Sequence, residues 1–253
     1  GASGSDVPSP SDYVGIASTA DGDGYWVAKG DGGMFSFGDA QFFGSAGNLH
    51  LASPAVGVAT TSDAKGYWLG AADGGLFAYG DAPFLGSMGG KNIVGHVVGV
   101  AGTKSGYWLV ADDGGVFSFG SAFYGSMGGK TLNAPVSGMA ATPSGQGYWL
   151  VAKDGGIFGF GDAGFYGSMG GKALNAPVVG IAATPSGHGY WLVASDGGMF
   201  GFGDAKFYGS MGGTPLAAPI TGMAARPQGD GYWLVAKDGG VFSFGAAAFH
   251  GRP

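Results

Sequence analysis

The sequence predicts an all-β fold built from one motif repeated six times, and three observations support this. All six tryptophans recur at nearly constant spacing, with 42, 40, 41, 42 and 42 residues between successive ones. Each lies in an apolar run that meets a second apolar run across an Asp-Gly pair, which is a strong signal for a β-hairpin. All 17 acidic residues are Asp, and Asp favours turns whereas the missing Glu favours helices.

Each repeat contains four candidate strands, A to D, which in the fifth repeat cover residues 178–182, 190–194, 200–203 and 207–211. Strand A has a central Gly, and Gly inside a strand usually marks the close approach of another backbone. We therefore expect strand A to be innermost. Between strands B and C, Asp196-Gly197 is expected to form a type I′ turn, which needs positive φ at both central residues.

Four strands in about 42 residues match one blade of a β-propeller. Strands B and C are apolar throughout, as expected of a blade that its neighbours cover on both faces. Helical solenoids would need a 3.6-residue periodicity, which the sequence lacks. We predict a six-bladed β-propeller of four-stranded antiparallel blades over residues 13–253, after a tag and linker at residues 1–12. The predicted repeats are about 13–54, 55–96, 97–135, 136–177, 178–219 and 220–253.

Composition limits the kinds of partner. The formal net charge is −6 and there is no basic run, so we do not expect nucleic acid to bind. The chain has no Cys, which excludes disulfide and thiolate chemistry. No apolar run approaches the roughly 20 residues of a membrane span, so we expect no membrane insertion.

The string Gly-Tyr-Trp-Leu-Val-Ala-x-Asp-Gly-Gly-(Val/Ile/Met)-Phe-x-Phe-Gly-Asp-Ala-x-Phe-Tyr-Gly-Ser-Met-Gly-Gly resembles a Gly/Trp-rich repeat of secreted actinobacterial proteins, over residues 13–251. That resemblance implies a secreted or cell-surface scaffold, often found beside hydrolase or cell-wall-directed domains, and a scaffold hosts different tasks. Blade size and repetition are also similar in architecture to tachylectin-like sugar-binding propellers. The resemblance names no particular sugar.

Few residues suggest catalysis or metal binding. The turn aspartates could bind calcium or sugar hydroxyls, or they could accept hydrogen bonds from the backbone of their own turns. Each turn has a single carboxylate, whereas hard cations bind six or more oxygens, so the structural role is favoured. The histidines occupy different repeat phases. We predict no enzyme activity, cofactor or metal, with a hydrolase at the central channel as the least favoured alternative. The turn aspartates are Asp31, Asp73, Asp113, Asp154, Asp196 and Asp238, and the histidines are His50, His96, His188 and His250.

The predicted ligand site combines strand D with the loop that follows it. A Tyr ring near the rim can stack on a sugar while Lys and Asn bond its hydroxyls. Near-identical repeats give identical weak sites that act by avidity. We therefore predict a secreted, monomeric, lectin-like module for polysaccharide or cell-wall glycan, the alternative being a protein–protein interaction scaffold. The predicted site residues are Tyr124, Tyr166, Tyr208, Lys130, Lys172, Asn133 and Asn175.

Overall fold

Six antiparallel sheets of three consecutive strands make up the fold. The computed structural model describes residues 7–253; residues 1–6, which belong to the predicted tag and linker, lie outside the described residues. No helix occurs in residues 7–253. The strands are β1 (Tyr13–Ser18), β2 (Gly24–Lys29), β3 (Met34–Gly38), β4 (Ala55–Thr60), β5 (Gly66–Ala71), β6 (Leu76–Gly80), β7 (Val97–Gly102), β8 (Tyr107–Ala111), β9 (Val116–Phe119), β10 (Val136–Ala141), β11 (Gly147–Ala152), β12 (Ile157–Gly161), β13 (Val178–Ala183), β14 (Gly189–Ala194), β15 (Met199–Gly203), β16 (Ile220–Ala225), β17 (Gly231–Ala236) and β18 (Val241–Gly245).

The first strands of the six sheets form a closed ring. β1 contacts β4, β4 contacts β7, and the series continues through β10 and β13 to β16, which contacts β1 again. Strand A is therefore innermost, as the sequence predicts, and the arrangement is consistent with a six-bladed propeller. We call each sheet with the chain that follows it a blade. Every sheet uses consecutive strands, so the described chain closes the ring without exchanging a strand.

The prediction of a fourth strand in each blade is wrong. The D segments, which follow strand C, are extended but pair with no strand. Their central glycines have φ between +126° and +134°, which L-residues rarely adopt, so a regular ladder cannot continue through them. The D segments are residues 41–45, 83–87, 122–126, 164–168, 206–210 and 248–251.

The turn between strands B and C also differs from the predicted type I′. In this turn of the fifth blade only Gly197 has positive φ, at +79°, and its N–H donates to the Ala194 carbonyl at 2.9 Å. This is a three-residue loop, in which a type I turn is followed by a left-handed Gly. Asp196 keeps negative φ, and its carboxylate stabilises the turn by accepting the Gly198 N–H at 2.9 Å.

Strand B supplies the aromatic core. The tryptophan of each blade is buried, and its Nε1–H donates to a carbonyl of the same blade's D segment at 2.6–2.9 Å. These bonds replace the missing ladder between strand C and segment D. Within its own blade, each D segment is thus held by one indole rather than by a row of backbone bonds.

A buried tyrosine beside each tryptophan joins neighbouring blades. Its hydroxyl donates to a glycine carbonyl in the preceding blade's D segment at 2.5–2.6 Å and accepts a backbone N–H there at 3.0–3.3 Å. Burial raises the pKa of each of these phenols above its ordinary value. These inter-blade tyrosines are Tyr25, Tyr67, Tyr107, Tyr148, Tyr190 and Tyr232.

The same contacts close the ring between the last blade and the first. Tyr25 bonds Gly251 and His250, and the Tyr13 N–H donates to the Lys237 carbonyl at 3.0 Å. Arg226 stands where the other five repeats have Thr, and its Nε–H donates to the Gly22 carbonyl of the first blade at 3.3 Å. The interface between the last and the first blade therefore contains a hydrogen bond from a side chain that the other repeats lack at this position.

A β-bulge in every strand A shapes the axis of the ring. The register shifts by one residue before the central Gly, so the bulged side chain has no partner on strand B. All six bulged residues line one cavity of about 200 Å³ at one mouth of the axial channel. They are Val14, Val56, Val98, Ser137, Val179 and Thr221.

Candidate functional site

The predicted tyrosines are partly buried between blades. The rings of Tyr124, Tyr166 and Tyr208 pack edge-on against the next blade's inter-blade tyrosine, with centroids 5.8–6.0 Å apart. The Tyr166 hydroxyl donates to the Gly187 carbonyl at 3.0 Å, and the Tyr208 hydroxyl donates to the Gly229 carbonyl at 2.8 Å. The ring contacts hold neighbouring blades together. The Tyr166 and Tyr208 hydroxyls form hydrogen bonds at the turns between strands A and B.

The predicted lysines and asparagines lie at the other face of the ring. Lys130, Lys172, Asn133 and Asn175 are exposed in the loops that lead from segment D to the next strand A. Each of these loops begins beside the turn between strands B and C, as the Met169 N–H, which donates to Gly155, shows. The structure therefore does not bring the tyrosine hydroxyls together with the Lys and Asn side chains. Ligand contact by these seven residues stays a prediction.

The turn aspartates do have the structural role that the sequence favours. In all six turns Oδ1 accepts the backbone N–H two residues later, at 2.8–3.0 Å. Asp154 also shares a groove of about 210 Å³ with Asn133, Phe158 and Ser168, between the third and fourth blades. In this groove a predicted site residue, Asn133, meets a turn carboxylate.

A belt of exposed phenylalanines surrounds the ring, one in each D segment. The sequence analysis missed these residues, because it placed the stacking contact on the tyrosines of strand D. Their side chains are 55–68% exposed, and none of the six packs on the described core clusters. The members of this phenylalanine belt are Phe42, Phe84, Phe123, Phe165, Phe207 and Phe249.

Alternation along segment D explains the exposure. Side chains of an extended chain point to opposite sides in turn, so in the third to fifth blades the tyrosine after the belt phenylalanine packs inward and the phenylalanine points outward. The signal was present in the sequence. Phe occupies this position in six repeats of six, whereas the preceding position holds Gln, Pro, Ala, Gly, Lys and Ala.

Hydroxyl and carboxylate groups cluster at the opposite end of each blade, where strands A and B turn. Ser186 Oγ donates to Asp204 Oδ2 at 2.5 Å, and this bond lowers the pKa of the Asp204 carboxyl. In the third blade Ser121 replaces the Asp, and its hydroxyl bonds Thr103 at 2.6 Å. These contacts fasten the turn after strand C, so we assign them to the fold rather than to a ligand.

Comparison with known proteins supports the fold and goes no further. No protein-family model matches the chain, and no curated protein matches it. A structural genomics protein of unknown function from Bacteroides thetaiotaomicron VPI-5482 is similar in structure, with a TM-score of 0.59 and 14% identity over 97% of this chain and 71% of its own. A chain of the mitotic checkpoint complex has a TM-score of 0.60 and 12% identity, over 91% and 74%. At such identities the likeness shows a propeller-like fold alone.

Residues 7–253 contain neither a group of metal ligands nor a membrane-crossing helix. Within this range no three His or Asp side chains lie together in a way that could hold a metal ion. The same residues form no helix long and apolar enough to cross a membrane.

Proposed function

We propose that this chain is a non-enzymatic, secreted or cell-surface module that binds neutral carbohydrate or cell-envelope polymer through sites repeated around its rim. The observation that carries the proposal is the phenylalanine belt. We place the main contact on the phenylalanine that precedes each predicted tyrosine, because the tyrosine itself is packed between blades.

The belt calls for a role outside the fold. Large exposed apolar side chains that recur in a pattern mark interaction sites, because they bring a risk of aggregation and contribute little to folding. Here the neighbouring position varies freely while Phe is kept in every blade. An exposed ring offers a flat apolar face, on which the C–H face of a sugar ring can stack.

The arrangement suits a polymer better than a small sugar. One exposed ring buries little area, so a single site is expected to bind at about millimolar Kd, or roughly 4 kcal/mol. Six such sites on one ring can engage several segments of the same polymer. Multivalent attachment raises the apparent affinity by a factor of about 10² or more without any new contact.

Charge favours a neutral polymer. The chain has a formal net charge of −6, and of the six residues that precede the belt phenylalanines only Lys206 is charged. A polyanion would meet no complementary field on such a surface. Sugar hydroxyls, by contrast, need no counter-charge.

The test compares retention of the wild-type chain and a triple variant, F123S/F165S/F207S, on insoluble polysaccharides and cell-wall material. We expect the triple variant to be retained much less than the wild type, because it keeps only Phe42, Phe84 and Phe249 of the belt, and each single variant to weaken retention slightly. The melting temperature should barely change, because substitutions of exposed side chains usually alter stability by less than about 0.5 kcal/mol. Short oligosaccharides should bind the wild type only weakly.

A loop variant serves as the matched control. It replaces the exposed polar residues of the sequence-predicted site by Ser and should be retained like the wild type; these residues are Lys130, Asn133, Lys172 and Asn175. Loss of retention in the loop variant alone would move the site from the belt to the loops. A folded triple variant that is retained as before, or a wild type that binds no polysaccharide or cell-wall fraction, would favour the protein–protein scaffold.

A further inference from the structure

The axial cavity, which residues of all six blades line together, is a second kind of candidate site. Five of its six bulged residues are half-buried and one, Val14, is buried, and four of the six are valines. The starts of the A strands, among them Val97, Val136 and Ile220, complete the wall. The mouth of the channel is therefore an apolar collar that no single blade could form.

One side of this collar is polar, and its polar residues lie where the second repeat meets the third. His96 stands where four other repeats have Pro, and Asp112 stands where the others have Gly, Ala, Lys, Ser and Lys. Both residues line the cavity. Asp112 Oδ1 accepts the His96 backbone N–H at 3.0 Å, which fixes the carboxylate, and no hydrogen bond among residues 7–253 uses Oδ2. Lys153 of the next blade also lines the mouth.

The chain's own lead segment reaches the same mouth. The Ser9 N–H donates to Asp12 Oδ2 at 2.8 Å and the Asp12 N–H donates to the Ser9 carbonyl at 3.0 Å, which turns the chain back on itself before strand A. Asp12 is in turn paired with Lys237 at 3.2 Å. Val7 and Pro8 thereby line the cavity and add apolar surface on its open side.

We propose that the axial cavity binds a small molecule of one-ring size that carries an ammonium group, with its apolar ring in the valine collar and its ammonium on Asp112. The volume of about 200 Å³ sets the size. Drug-sized ligands occupy roughly 300–1,000 Å³, whereas an apolar cavity of about 150 Å³ accepts benzene. The single fixed carboxylate sets the charge of the head group.

Three related molecules test this inference in solution: benzylamine, toluene and benzoate. They share one ring and differ in charge, and valine methyl NMR shifts show where each binds. We expect benzylamine to bind with a Kd of roughly 1 mM or tighter and to shift the collar valines. Benzoate should bind at least about tenfold more weakly. Benzoate binding as tightly as benzylamine, or no shift of the collar valines with any of the three, would overturn the proposal.

Two substitutions separate the collar from the carboxylate. Asp112→Asn keeps an oxygen for the His96 N–H and should reduce benzylamine binding to the level of toluene. Val179→Phe fills the cavity and should abolish binding of both. Ser137→Val, which introduces the residue type of four other bulges, is the matched control and should keep binding. Unchanged benzylamine affinity in folded Asp112→Asn would exclude the proposed role of the carboxylate.

The outcome is independent of the proposed polymer binding. The triple belt variant F123S/F165S/F207S should bind benzylamine like the wild type, because the belt lies on the outer D segments and the cavity lies on the axis. Loss of benzylamine binding in that folded variant would contradict the assignment of two separate sites.

Discussion

Two equivalent glycines of the inner ring differ in the space around them. A Cβ built on Gly15 would lie 3.3 Å from the Gly57 Cα and 3.4 Å from the Val58 N, which belong to the backbone of the next blade. A Cβ on Gly57 would meet only Val100 Cγ1, at 4.0 Å. Neither glycine has positive φ, so strain of the backbone does not enter. We predict that Gly15→Ala destabilises the protein and Gly57→Ala does not.

The magnitude follows from two effects of opposite sign. Replacing Gly by Ala reduces the freedom of the unfolded chain and stabilises by about 0.4–1 kcal/mol where the new methyl group fits. At Gly15 the methyl must push two blades apart by a few tenths of an ångström, and overpacking of this kind costs at least about 1 kcal/mol. The unfolded-state effect is common to both variants and cancels in their difference. The Gly15→Ala variant should therefore be less stable than Gly57→Ala by about 1–2 kcal/mol.

Thermal unfolding and urea titration measure this difference. For a chain of this length it corresponds to a gap in melting temperature of about 3–6 °C. Gly57→Ala should melt at or slightly above the wild-type temperature, which shows that Ala is tolerated in strand A as such. Equal melting temperatures of the two variants, or a more stable Gly15→Ala, would refute the reasoning that blade contact at the axis limits residue size.

Two further predictions concern the junctions outside the axis. In segment D, Gly167 has φ +133°, and a Cβ added there would lie 2.6 Å from Phe202, so Gly167→Ala should lower the free energy of unfolding in urea by about 3 kcal/mol. Gly171 has φ +78° and open space around it, so Gly171→Ala should lower it by about 1 kcal/mol. Equal costs would show that segment D adapts. Burial raises the pKa of the inter-blade tyrosines, so their contribution to stability is complete below about pH 10 and is lost as pH rises through the raised values. The urea midpoint should fall steeply above pH 10, and an unchanged midpoint at pH 11 would contradict this. Tyr190→Phe leaves the Gly167 carbonyl without its donor, so it should lower the free energy of unfolding by about 1–3 kcal/mol already at pH 8.

The sequence predicts the number, order and inner edge of the sheets because these depend on periodic features. The tryptophan period sets six units, and the Gly in strand A places that strand at the axis. The reason for the Gly varies between blades, however. Gly15 faces backbone, as expected, whereas the first contact of a Cβ on Gly180 is Val193 Cγ1 at 3.1 Å, in its own sheet.

The missing fourth strand could not be predicted from residue types. The Phe-Tyr-Gly-Ser run of the fifth blade has the composition of a strand, but Gly209 adopts φ +130°, and the Trp191 Nε1–H and the Tyr232 hydroxyl occupy the carbonyls of the segment. Those bonds come from 15 or more residues away. The recurrence of the belt phenylalanines can be read from the sequence, but their outward direction depends on the placement of segment D.

The tyrosine junction has a consequence for how such a gene can change in length. Each repeat encodes a tyrosine that bonds the blade before it and a D segment that receives the tyrosine of the blade after it. The tyrosine and the D segment are therefore duplicated or deleted together with a whole repeat. Each new junction between blades then has both of its hydrogen-bonding partners. The nearly identical third to fifth repeats offer long stretches for unequal recombination, while Arg226 keeps its place at the junction of the two chain ends. The number of blades can then change by one at a time. Packing at the axial glycines determines which numbers of blades form a closed ring.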